Sequence, residues 1–231
     1  MRQISIAAGN QGEAMRLHHT CQVMARLLAH DPRVLKLYGL WLKETGFEAE
    51  LDALSDSDDD VVRTQWLRAA EAPKRKDKAR TGKAVRGHQV VTARMESLLQ
   101  TIDLPYPWLA AVLMESFVVR MSAAASRMRA TLEMPLVLPV VNFTMNLEVD
   151  GFPRKQIKGS RTTLPRGRVP SEKGLATLAR NVDWLYRARI KDPPETIYGI
   201  SKHDGAGRSV VQGGIESARD LLRQTLTPMP E

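Results

Sequence analysis

Apolar residues recur at three- and four-residue spacing along the first 70 residues, a pattern that predicts helices. Leu17, Cys21, Met24, Leu27 and Leu28 mark one face of a first helix. Asp31-Pro32 restarts the chain, with Asp31 suited to cap a second helix and Pro32 to open it. Val34, Leu35, Leu37, Tyr38, Trp41 and Leu42 carry its apolar face, and Gly46 suits a left-handed stop with Phe47 packed behind it. A third helix is predicted from Asp59 to Ala72 by Val61, Val62, Trp66, Leu67 and Ala70, with acids at its start complementing the helix dipole. Pro73 ends it. Residues 73–88 hold no apolar side chain but alanines and Val85, and read as a basic linker or loop. Helical spacing returns from 89 to 129: Val90, Val91, Met95, Leu98 and Leu99, a break at Pro105 and Pro107, then a long helix from Trp108 to Met128.

From Thr131 the period falls to two. Leu132, Met134, Leu136 and Leu138 alternate, and Phe143, Met145, Leu147 and Val149 alternate again; Asp150-Gly151 then supplies a hairpin turn ahead of Phe152. Pro135 and Pro139 keep the first of these runs out of a sheet interior. Residues 153–170, rich in proline, glycine and basic side chains, form a second connector. A last set of helices begins behind a Ser171 cap with Leu175, Leu178, Val182, Leu185 and Tyr186, and Asp192-Pro193-Pro194 interrupts it. The expected fold class is mainly α (α+β). Its stretches are a helical region 1–72, the basic linker or loop 73–88, long helices with a β-hairpin and basic connector over 89–170, and a C-terminal helical domain 171–231.

Composition adds a partner to this outline. The 231 residues are 43% hydrophobic and 26% charged, which excludes a disordered, collagen-like or disulfide-stapled chain. The formal net charge of +8 is unevenly placed: residues 73–88 carry +6 and 151–191 carry +9, while 44–60 holds eight acids and no base. Two basic stretches beside folded units point to nucleic acid. The single cysteine, Cys21, fits a reducing compartment. No apolar run reaches the roughly 18 residues of a membrane span, and Met1–Met15 lacks the apolar stretch of a signal peptide. A cytoplasmic protein without membrane contact is expected.

Catalytic and metal-binding patterns are weak. His18, His19 and Cys21 cluster without the four paired ligands of a structural zinc site. Asp56, Asp58 and Asp60 imitate a calcium loop, yet Val61 stands where its glycine belongs and Leu67 where its glutamate belongs. Gly205-Ala206-Gly207 follows a helical stretch and lacks a phosphate-binding lysine. Arg180, Tyr186, Arg187, Arg189 and Tyr198 do not form the spaced set of a tyrosine recombinase. No enzyme activity, metal or cofactor is expected.

The stretch Thr196–Leu222, TIYGISKHDGAGRSVVQGGIESARDLL, resembles the helix-turn-helix of the fourth region of sigma factors and of response-regulator and phage DNA-binding proteins. With the helix before it, the resemblance covers about 50 residues and implies a three-helix DNA-binding unit. It makes Ile200 the buried residue of the first helix of the motif, Ser201 the small residue facing the second, and Gly205 the turn residue of positive φ, followed by Ala206. Val211, Ile215, Ala218, Leu221 and Leu222 become the inward face of a recognition helix over 208–219. Arg208, Ser209, Val210, Gln212 and Gly213 face outward near its start, with Glu216, Arg219 and Arg223 beyond. Arg208 suits guanine or a phosphate and Gln212 suits adenine. Gly213-Gly214 within this helix costs on the order of 1 kcal/mol per glycine relative to alanine. Because residues 192–231 carry a net −2, phosphate-binding charge would come from Lys202, from Arg187, Arg189 and Lys191, and from the connector residues Arg154, Lys155, Lys158, Arg161, Arg166 and Arg168. The DNA-contacting set is thus Lys202, Arg208, Ser209, Gln212 and Arg219 with those six. A sequence-specific DNA-binding regulator is the favoured reading, with DNA before RNA and a homodimer or protein partner. The alternative is a non-catalytic adaptor or assembly subunit of a nucleoprotein complex, holding RNA or DNA without reading sequence.

Overall fold

Local signals close helices where the sequence sets them. In the computed structural model, which describes residues 6–7, 11–55, 78–125, 141–142 and 170–225, the described chain is mainly α-helical. Helix α1 spans Gln11–Ala29 and α2 spans Pro32–Thr45. The Asp31 carboxylate accepts a bond from the Arg33 backbone N–H at 2.9 Å, and Gly46 stops α2 at φ 83°. Helix α3 follows at once, Phe47–Ser55. Then come α4, Lys78–Thr101, and α5, Pro107–Ala125. The C-terminal helices are α6, Glu172–Leu185, α7, Ile197–Asp204, and α8, Arg208–Gln224. Two short strands, β1 (Ile6–Ala7) and β2 (Val141–Asn142), pair in parallel with Ile6 opposite Val141. Among the described residues, no helix is long and apolar enough to cross a membrane.

The chain divides into two compact units, Ala25–Leu138 and Met1–Met24 with Pro139–Glu231. In the first unit α2 packs across α4, α4 against α5, and α3 against α5. Trp41 centres an aromatic cluster, 5.3 Å from Phe47 and 6.0 Å from Phe117 between ring centroids, with Tyr38 5.4 Å from Phe117. The Trp41 indole N–H donates to His88 Nδ1 at 3.3 Å, so His88 holds a lone pair toward the cluster. Burial lowers the His88 pKa, in keeping with a neutral ring. The Arg120 guanidinium donates to the carbonyl of Ala29, the last residue of α1, at 2.8 Å, where a cation complements the helix dipole.

Two features differ from the sequence expectation. Residues 78–88 are not linker or loop; they form the first half of α4. Lysine, arginine, alanine and glutamine are good helix formers, and among the residues of α4 whose burial is described the first buried one is a glycine, Gly87, which apolar periodicity does not register. That stripe continues through Val91, Met95 and Leu99, whereas Val90 is exposed. Helix α3 lies inside the acidic run, anchored by Phe47 on Trp41 rather than by its own pattern. The predicted helix 59–72, the β-hairpin of 143–152 and most of the connector 153–170 lie outside the described residues.

Candidate functional site

The C-terminal helices are built from caps. Ser171 Oγ accepts from the Gly174 N–H at 3.2 Å and starts α6. A single π-turn over Tyr186–Ile190 ends that helix. Thr196 Oγ1 accepts from the Gly199 N–H at 3.0 Å and starts α7. Gly205 stands at φ 65°, in the left-handed region where glycine carries no Cβ penalty. Ser201 Oγ donates to the Ala206 carbonyl at 2.6 Å and the Ala206 N–H donates to the Ser201 carbonyl at 3.2 Å. The small residue before the turn thus ties both of its arms. Arg208 then opens α8.

Helix α8 is sharply two-sided. Val211, Gly214, Ile215, Ala218 and Leu222 are buried, α8 packs on α6 and α7, and Ile200 of α7 is fully buried. Leu221 is only half-buried. The glycine pair in this helix separates into two roles. A Cβ on Gly214 would lie 2.7 Å from Asn181 Oδ1 and 2.8 Å from Trp184 Cε3, so α6 and α8 approach at the distance only glycine permits. A Cβ on Gly213 would meet nothing within 4 Å.

Opposite the packed side, Arg208, Ser209, Val210, Gly213, Glu216 and Arg219 are exposed, and Gln212 is half-buried with its amide donating to Glu216 at 2.6 Å. Lys202 is exposed on α7. The Arg208 guanidinium lies 4.5 Å above the ring centroid of Tyr198, itself 56% exposed. Sequence spacing gives no sign of this pair, because its members stand on different helices across the turn. The connector residues Arg154, Lys155, Lys158, Arg161, Arg166 and Arg168 lie outside the described residues.

One expected source of phosphate-binding charge is used internally. Arg187, in the π-turn, is 14% exposed and faces three carboxylates. It donates to Glu195 at 2.7 Å and to Asp204 at 3.0 Å, and stands 3.5 Å from Asp183. Lys191 joins Glu195 at 2.7 Å. The hydrogen bonds from Arg187 and then Lys191 pull the Glu195 pKa down to about 2. Asp204 is held well below the usual carboxylate range by His203, by the Trp184 indole N–H at 2.6 Å and by Arg187. Burial raises Asp183 despite Arg187 beside it. The cluster fixes α7 on the end of α6 and leaves Arg187 unsuited to a phosphate.

Elsewhere in this unit, His19 Nε2 donates to the Leu175 carbonyl at 3.0 Å, and the Cys21 thiol is buried, its pKa pushed up to about 12 by desolvation. Among the described residues, no group of three His, Cys, Asp or Glu side chains is gathered as for a metal ion. Comparison of the chain with protein-family models, with curated proteins and with solved structures finds no match.

Proposed function

We propose that the protein is a sequence-specific DNA-binding regulator that reads the major groove with the start of α8. The observation that carries this reading is the division of α8 between a fully packed side and an open one. Its first two turns present Arg208, Ser209, Val210 and Gly213 as exposed residues, on a helix held rigidly by a two-helix turn. A major groove about 12 Å wide admits such a helix, and the deep, narrow groove of RNA does not. Arg208 offers paired donors to guanine, Gln212 offers an amide to adenine, and Ser209 suits either a base edge or a phosphate. Lys202 and Arg219 would hold phosphates, joined by the six basic residues of 154–168. The chain would act in the cytoplasm as a homodimer or with a protein partner, since motifs of this kind commonly read paired half-sites.

Burial of the outer face of α8 against another part of the chain would support the adaptor reading. The exposure of Arg208, Ser209, Val210, Gly213 and Glu216 does not favour it.

A gel shift titrated with salt tests the proposal. Affinity is expected to fall steeply with salt, by a slope near 0.9 per phosphate contact. Arg208→Ala with Gln212→Ala is expected to flatten the sequence preference while leaving most of the salt slope. Binding blind to sequence in the unaltered chain would refute it.

A further inference from the structure

We infer that Tyr198 is a positioning residue that holds Arg208 for one guanine of the DNA site. The inference rests on the DNA-reading proposal and adds to it one residue and one base. Tyr198 is the second residue of α7 and Arg208 the first of α8. The turn between them is fixed by Gly205 and by the Ser201–Ala206 hydrogen bonds, so the two side chains meet in a set geometry. At 56% exposure Tyr198 is poorly explained by core packing, and what it does contact is the Arg208 guanidinium, 4.5 Å over its ring.

Arg208 makes no ion pair among the described residues, in contrast to Arg187 with its three carboxylates. An unpaired arginine samples many rotamers, and ordering them weakens any contact it then makes. A ring face attracts the cation but takes none of its N–H donors, which stay free. Two of those donors match the O6 and N7 acceptors of guanine, the commonest arginine contact in the major groove. Adenine has a donor where guanine has O6, so it cannot accept both.

The test uses the full chain and the duplex it selects from a random library, with each guanine replaced in turn by 7-deazaguanine, which lacks N7. At one guanine the unaltered protein should lose about tenfold in affinity. Tyr198→Phe keeps the ring face and should keep that loss. Tyr198→Leu keeps the apolar bulk without the ring quadrupole, and should bind the two duplexes equally, as should Arg208→Ala. Thermal midpoints should match throughout, since the position is exposed. A Tyr198→Leu protein as sensitive to 7-deazaguanine as the unaltered chain overturns the inference. So does uniform weakening in Tyr198→Phe and Tyr198→Leu with the guanine preference intact, which would make the phenol a phosphate contact. Selection of a preferred duplex with no sensitive guanine removes the inference and leaves DNA reading standing; selection of no sequence removes both.

Discussion

Two helix crossings in this protein are made through a glycine, and what the glycine faces differs between them. At Gly87 of α4 an added Cβ would lie 2.5 Å from the Glu44 carbonyl carbon and 2.7 Å from the Thr45 nitrogen, both backbone of α2. At Gly214 of α8 it would meet the Asn181 amide and the Trp184 ring of α6. Backbone cannot turn aside, whereas side chains can give a little. The surroundings differ too. The α2–α4 crossing is aromatic, with a neutral His88 accepting from Trp41, while the α6–α8 crossing sits above a cluster of charged groups around Arg187. The first joins α2 and α4 backbone to backbone; the second seats α8 on side chains of α6.

Substitutions sharpen this contrast. Gly87→Ala should have the largest effect, a loss of about 3 kcal/mol in urea unfolding, because α2 and α4 must separate. Arg187→Met should cost about 2 kcal/mol by removing the hydrogen bonds that Arg187 makes to Glu195 and Asp204, and the loss should appear in the exchange of α6–α8 amides rather than those of α2–α5. Gly214→Ala should cost about 1.5 kcal/mol, its clash shared with side chains. A Gly87→Ala protein as stable as the unaltered chain would break the comparison at its root.

Acid should separate the two regions. His88 has a lowered pKa, so the stability tied to its neutral form is complete above its unfolded value of 6.5 and is lost as pH falls below it. Glu195 is depressed to about 2, so its contribution is complete above its unfolded value of 4.5 and is lost only as pH falls toward 2. Asp204 acts in the same direction, and the raised Asp183 partly offsets them. The indole N–H resonance of Trp41 should therefore move as pH falls below 6.5, while that of Trp184 persists until below pH 4.5. Coincident loss of both signals would contradict the distinction.

The parts legible in the sequence are those set by near neighbours along the chain. Asp31, Gly46, Ser171 and Gly205 each act within a few residues, and each closes or opens a helix as its residue type dictates. The outward placement of Arg208, Ser209 and Arg219 is what the resemblance to a helix-turn-helix implies, and the three are exposed. Illegible were contacts made across elements. The first half of α4 packs through Gly87, a residue that apolar patterning treats as blank. Helix α3 depends on Phe47 meeting Trp41. Arg187 looked like a free cation because Glu195 and Asp204 are distant in sequence, and the Tyr198–Arg208 pair has no sequence period to reveal it.

The neighbouring glycines of α8 allow the most direct test of the central claim, that one side of this helix holds the fold while the other is free to read DNA. Gly213 faces open space, so Gly213→Glu should fold with an unchanged or slightly raised thermal midpoint, a helix former having replaced glycine. Its carboxylate would enter the groove against phosphates, and affinity for the selected duplex should fall by at least about tenfold. A Gly213→Glu protein that keeps both its midpoint and its full affinity would contradict the claim.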